Sequence, residues 1–170
     1  IIFINRFIIP SKGCVITIFS PTVNAKRPFW QAKSLDQMSP DEWESLCDRC
    51  GRCCLHKLEN EDSSDIYFTD VACCYLDEES CSCKHYEKRQ SLAVNCLVVK
   101  PDWAERFHWL PSTCAYRLIY ENKELPEWHP LVSGDKDSVH LAGISVRGRT
   151  FRDNEVAEEQ LIEHLITWVN

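Results

Sequence analysis

The stretch CDRCGRCC, residues 47–54, carries four thiols in eight residues: Cys47, Cys50, Cys53 and Cys54. Two CxxC spacings overlap through Cys50, and a CxxC loop lets both of its sulfurs turn toward one point. Gly51 supplies the backbone freedom that such a turn needs. This is the spacing of a metal-ligand loop, and the fold is expected to be organised around it. Cys53 and Cys54 are sequence neighbours, whose side chains diverge in both helix and strand. One of them is therefore expected to serve a second metal, or none.

Immediately upstream, SPDEWESL at 39–46 is a helix start. Ser39 stands at the N-cap, Pro40 at the first helical position and Glu42 three residues after the cap, which is a capping box. Trp43 and Leu46 lie three apart on one face and are expected to pack inward. Cys47 then falls at the helix end, and the other three thiols on the loop that leaves it. The ordered body is expected to begin near Pro28, Phe29 and Trp30.

Residues 1–27 read as a poorly ordered or spurious N-terminal extension. Arg6, Pro10 and Lys12 interrupt the apolar opening, so no run approaches the ~20 apolar residues of a membrane helix. Neither the charge order nor the cleavage site of a signal peptide is clear. Cys14 lies in this segment and is set aside. Residues 28–170 read as one cysteine-cluster metal-binding domain.

Downstream of the thiol motif, ENEDSSD at 59–65 is a solvated loop, since it lacks the spacing and the central glycine of a calcium loop. DIYFTDVAC, through Ile66, Phe68 and Val71, predicts a short strand that delivers Cys73 and Cys74. Cys81 and Cys83 are one residue apart, and an extended chain would face them the same way as a second ligand pair. Cys96 sits in the apolar run VNCLVV. In PDWAERFHWLPSTCAYRLIYEN, Trp103, Phe107, Trp109 and Leu110 predict a core helix stopped before Pro111. Ser112 is expected to cap a second helix running through Cys114 to Tyr120. These aromatics form core that walls off the thiols, and such a wall controls solvent access. His56, His85, His108, His129 and His140 are assigned structural, surface or outer roles. GISVRGRTF predicts a half-buried strand with Arg147 and Arg149 on its exposed face. DNEVAEEQLIEHLITWV predicts a closing helix, capped by Asp153, with Val156, Leu161, Leu165 and Trp168 inward.

The 170 residues suit one domain. Hydrophobic residues make up 44% and charged residues 26%, close to an average globular protein. Four of the 19 basic residues fall in residues 1–27, which hold no acid, so the rest carries 15 against 26, or −11. An acidic body disfavours nucleic acid as the main partner, since that affinity comes from Lys and Arg neutralising phosphates. It suits a cytoplasmic protein with neither nucleic-acid nor membrane partner. The outlier is cysteine, eleven in all. The odd count, the two adjacent pairs and a chain too large to need staples favour metal over disulfides.

FWQAKSLDQMSPDEWESLCDRCGRCCLHKL, DVAC, CSCKHYEKR, WLPSTCAYRL, WHPL and GISVRGR resemble, in order and over about residues 28–150, the YcgN-like family of small bacterial cysteine-cluster proteins. That family lies within the wider CxxCxxCC group, for which zinc or iron chelation is proposed from the thiols. The resemblance puts the signature on Cys47, Cys50, Cys53 and Cys54, and the later family cysteines on Cys73, Cys81, Cys83, Cys96 and Cys114. Cys74 stands where no family cysteine is expected and is left out.

Nine candidate thiols exceed the four ligands of one zinc or one four-iron cluster, while two sites use eight. Two sites, or one site plus buried neutral thiols, both follow. The run lacks the third spacer and following proline of a ferredoxin motif. The expectation is an α+β fold, a small helix-rich single domain around a cysteine-ligated metal centre. Its cofactor is an iron–sulfur cluster or zinc, in redox or metal handling. Two alternatives stand beside it. One is an iron–sulfur enzyme, since a related motif occurs in a flagellin lysine methylase, although no dinucleotide fingerprint, P-loop or nucleophile elbow is present. The other is a zinc-stabilised interaction module.

Overall fold

The computed structural model describes residues 27–169. The expectation of a disordered or spurious extension falls on residues 1–26 and Arg27, and all but Arg27, together with Cys14, lie outside the described residues. The architecture is α+β, with short helices and one three-stranded sheet.

The chain opens with α1 (Phe29–Ala32) and a 3₁₀ turn at Leu35–Gln37, then α2 (Pro40–Ser45). The capping box forms as the sequence implies: the Glu42 N–H donates to Ser39 Oγ at 3.2 Å, and the Ser39 N–H to Glu42 Oε2 at 2.8 Å. Leu46, which ends the helix, is fully buried. A 3₁₀ turn at Arg52–Cys54 then feeds β1 (Leu55–Glu59), which runs antiparallel to β2 (Ile66–Ala72) through the acidic turn. A bulge between Leu55 and Lys57 breaks the register. β2 matches the expected strand, whereas β1 was not anticipated.

Beyond the sheet come a 3₁₀ turn at Tyr86–Lys88, α3 (Arg89–Leu92) and a kinked 3₁₀ segment at Pro101–Trp109, where a core helix was expected. Its burial is as expected for Phe107 and Leu110. Pro101 opens the segment, and Trp103 leaves helical geometry at φ −101° and ψ 19°. α4 (Ala115–Tyr120) is capped by Cys114, not Ser112. α5 (Pro130–Ser133) and α6 (Ser138–Leu141) follow.

Two predicted elements are replaced. The strand over GISVRGRTF shrinks to β3 (Phe151–Arg152), parallel to the end of β2, because the chain turns at Gly148 (φ +68°) and the Arg149 N–H donates to Val146 O. Arg147 and Arg149 therefore do not share a strand face: Arg147 Nε donates to Glu79 O, and the Arg149 guanidinium lies over the Trp168 ring. The closing helix is a 3₁₀ run at Glu158–His164, with Ile162 and Leu165 exposed. Leu165 bridges to Thr69, and the Ile166 N–H donates to Phe68 O, so the tail pairs with β2 instead of packing as a helix.

Two cores result. The helical one gathers Leu35, Leu46, Phe107, Leu110, Ala115, Tyr116, Leu118 and Leu125, with Cys53 and Cys114 against it. The sheet-side one gathers Leu55, Phe68, Ala72, Leu76, Cys81, Val146 and Val169, with Cys54 against it. Cys53 and Cys54 straddle the two.

Candidate metal centre

The loop between the two cores is held by its glycine. Gly51 has φ +75°, and a Cβ there would lie 2.7 Å from Val146 Cγ2, so the loop can sit this close to residue 146 only without a side chain. The Val146 N–H donates to Cys50 O at 2.9 Å and the Cys54 N–H to Gly51 O at 3.0 Å. Leaving the loop, the Cys73 N–H donates to Cys54 O at 3.0 Å, which ties the start of β1 to the end of β2. On the other side, Cys114 caps α4, whose Tyr116 hydroxyl donates to Trp43 O at 3.0 Å and so docks α4 against α2.

Around these ties the thiols lie toward one core or the other, and the one group of three or more donors that converges within 4.8 Å among the described residues is Cys73, Cys74 and Asp153. Cys47, Cys50, Cys53 and Cys114 lie toward the helix side: Cys53 acts on each of the other three, and Cys114 on Cys50. Cys54, Cys73, Cys83 and Cys96 lie toward the sheet side: Cys73 acts on Cys54 and Cys96, and Cys83 on Cys73 and Cys96, while Cys53 also acts on Cys54 and Cys96 across the junction. The junction is the adjacent pair. Against the expectation that their side chains diverge, Cys54 hydrogen-bonds to Cys53, both standing in the 3₁₀ turn that gives way to extended backbone at Leu55. Cys81 joins neither set. Its backbone is left-handed (φ +52°), and its buried thiol lies by Ser145, Val146 and Arg147, so it does not face the same way as Cys83.

Burial pushes most of these thiols up. Cys47 reaches about 12; its residue keeps some exposed surface, but the protein packed around its sulfur governs the shift. Cys50, Cys54 and Cys114 rise well above the ordinary thiol value, from burial for Cys50 and Cys114 and from the bond to Cys53 for Cys54. Cys53 alone falls, to about 7, chiefly through the hydrogen bond from Cys54 and then through Lys57.

The surroundings fit a cation held by thiolates. Asp48 is 6% exposed; its Oδ1 accepts from the Cys50 N–H at 3.0 Å, while Oδ2 has no hydrogen-bond partner. A buried, half-satisfied carboxylate beside four thiols is costly unless positive charge joins it. Two cations stand nearby, Arg52 buried in the 3₁₀ turn and Lys57 half-buried on β1. Arg52 donates from Nε to Ile144 O at 2.6 Å and senses Cys50 and Asp48. Lys57 donates to Cys53 O and Leu55 O at 2.9 Å and senses Cys53 and Cys54. They offset part of the negative charge that thiolates around a metal would carry. The sequence reading passed over Asp48, Arg52 and Lys57, although all three lie within or next to the cysteine run.

His129 is structural, as the sequence suggested. Fully buried, it faces Leu46 O through Nε2 at 3.1 Å and accepts from the Leu131 N–H at Nδ1, so both nitrogens are used.

Residues 46–115 match the CxxCxxCC family, described as "Putative zinc- or iron-chelating domain". Over 145 residues the chain is 54% identical to a UPF0260 protein of Cellvibrio japonicus, covering 85% of this chain and 99% of that protein. The chain belongs to the UPF0260 family. Other UPF0260 proteins are similarly close: one from Vibrio atlanticus is 51% identical over 81% of this chain and 96% of its own length. One from Sinorhizobium medicae is 52% identical over 83% and 91%. No solved structure matches this UPF0260 chain. Among its described residues, no helix is long and apolar enough to cross a membrane. Metal chelation of unknown biological role fits both the matched domain and the thiol arrangement.

Proposed function

We propose that this UPF0260 protein holds metal of the zinc or iron class in two four-thiol centres. Cys47, Cys50, Cys53 and Cys114 would hold the helix-side one, and Cys54, Cys73, Cys83 and Cys96 the sheet-side one. The observation that carries this reading is the placement of the adjacent pair: Cys53 packs with Cys114 against the helical core, while its neighbour Cys54 packs against the sheet-side core. Eight thiols is the ligand count of two tetrahedral zincs or two four-iron clusters. Cys81, assigned as a ligand by resemblance, takes a packing role in this reading, as a small buried hydrophobe under Gly51. The resemblance to YcgN-like proteins is the finer family placement that accompanies it.

Bound zinc would supply structure or a transferable ion, and a bound iron–sulfur cluster one-electron chemistry. The residues' own part is separate. Burial keeps most of the thiols protonated until a cation arrives, so loading releases protons and favours higher pH. Arg52 and Lys57 then offset the thiolate charge, and the core of Leu110, Tyr116 and Phe107 covers Cys53 and Cys114.

The test is metal analysis of protein purified without oxygen, with iron, zinc and acid-labile sulfide counted per chain. Iron with matching sulfide and visible charge-transfer absorption supports clusters; stoichiometric zinc in a colourless protein supports a structural or handling role. Cys50→Ser should lose one centre and lower solubility. Unchanged metal content in that variant removes Cys50 from the site.

A further inference from the structure

One donor group outside this pairing is already drawn together. Two sulfurs and a carboxylate oxygen, from Cys73, Cys74 and Asp153, all lie within 4.8 Å of one another. The sheet explains why. β2 ends at Ala72 and the chain turns, the Leu76 N–H donating to Cys73 O at 2.8 Å, so the Cys73 and Cys74 thiols sit side by side within hydrogen-bond reach. The parallel pairing of Ala72 with Arg152 brings Asp153 to that same end, where its N–H donates to Ala72 O at 2.9 Å. The carboxylate is then fixed from two sides. Oδ1 accepts from the Cys74 N–H at 3.0 Å, and Oδ2 faces His56 Nε2 at 3.2 Å.

We propose that Cys73, Cys74 and Asp153 form an outer site for a thiophilic divalent cation of the zinc class, with His56 as a positioning residue for the carboxylate. Sulfur with one oxygen selects such ions over calcium and magnesium, which take oxygen alone. On binding to the metal-loaded protein, the Cys74 S–H bond gives way to a metal–sulfur bond and its proton passes to solvent, while the Cys73 thiolate, already deprotonated by the sheet-side metal, bridges to the new ion through a second lone pair, with no electron transferred. Three protein ligands leave one tetrahedral position for water or an incoming ligand, the pattern of an open zinc site. A histidine bonded to a metal-ligating carboxylate orients it, and losing such a partner costs 10–100-fold in affinity. The site goes beyond the paired centres: it shares Cys73 with the sheet-side set, while Cys74 and Asp153 belong to neither set.

The test equilibrates the full-length metal-loaded protein with excess Cd²⁺ under reducing conditions, desalts it and counts bound metal. Cys74→Ser and Asp153→Asn should each hold one equivalent fewer than the native protein, with unchanged near-ultraviolet circular dichroism. His56→Gln should keep that equivalent with about 10–100-fold weaker affinity. Native metal content and Cd²⁺ affinity in Cys74→Ser overturn the proposal. If Cys74→Ser fails to fold, Asp153→Asn decides by the same count. Failure of the paired centres registers separately, as unchanged metal in Cys50→Ser.

Discussion

On the helical side, Cys50 is buried beside Asp48 and Cys53 and Cys114 are half-buried, with Cys47 exposed at the helix end; on the sheet side Cys73, Cys74, Cys83 and Cys96 are all half-buried. Cys53 and Cys114 pack against the core that holds Leu46, Phe107 and Tyr116, and Arg52 is buried. The sheet-side thiols sit at strand ends and turns, with Asp153 and His56 at the rim. One residue type is thus placed in two environments by a single chain reversal at Gly51 to Leu55. A metal walled by core exchanges slowly and one at a rim exchanges quickly, since the surrounding shell controls access.

Stripping metal is the largest perturbation that sharpens this contrast, because structural thiolate sites contribute on the order of 10–16 kcal/mol to folding. A chelator should remove metal in two phases, the sheet side first. Cys83→Ser should lack the fast phase and Cys114→Ser the slow one. A single shared phase in all three proteins would erase the distinction between the two environments.

Next in size is the helical core itself. Leu46→Ala should cost about 2–5 kcal/mol in chemical denaturation, because Leu46 is fully buried beside the first thiol and its carbonyl accepts from His129. A cost under ~1 kcal/mol would mean that the helix-side wall tolerates a cavity, against its observed packing. The hinge between the sides comes third. Gly51→Ala combines left-handed backbone with a Cβ 2.7 Å from Val146, so a loss of about 1–3 kcal/mol is expected. Retained stability with retained metal would show that the reversal needs no glycine.

The smallest effect is pH dependence from His129. Burial holds it below its ordinary value of 6.5, so below that pH the unfolded chain takes up a proton that the folded chain refuses. Stability should therefore fall as pH drops below 6.5, by at most about 1.4 kcal/mol per pH unit from this group. His129→Gln should flatten the slope relative to the native protein at matched metal content. Identical slopes would place the titration elsewhere.

What the sequence disclosed was local. The Ser39 capping box, the turn at Gly51 and the short strand β2 each depend on residues within a few positions, and each formed. What it hid depends on distant contact. Leu55–Glu59 becomes a strand because it pairs with β2, and the closing 3₁₀ run abandons its helical period because Ile166 bonds Phe68. Nine cysteines stood out in the sequence as candidate ligands, but the packing of Cys53 against one core and Cys54 against the other was not legible, because it depends on contacts with distant residues. Asp153 was taken for a helix cap and instead faces Cys74 and His56 across the end of the sheet.

The most direct test of the central claim compares metal content per chain in native protein, Cys53→Ser and Cys54→Ser, all purified without oxygen. Two separate centres predict that each variant loses one and keeps the other, so that chelator release leaves only the fast phase in Cys53→Ser and only the slow phase in Cys54→Ser. Loss of the same metal in both variants, or of none in either, would contradict the division of the thiols.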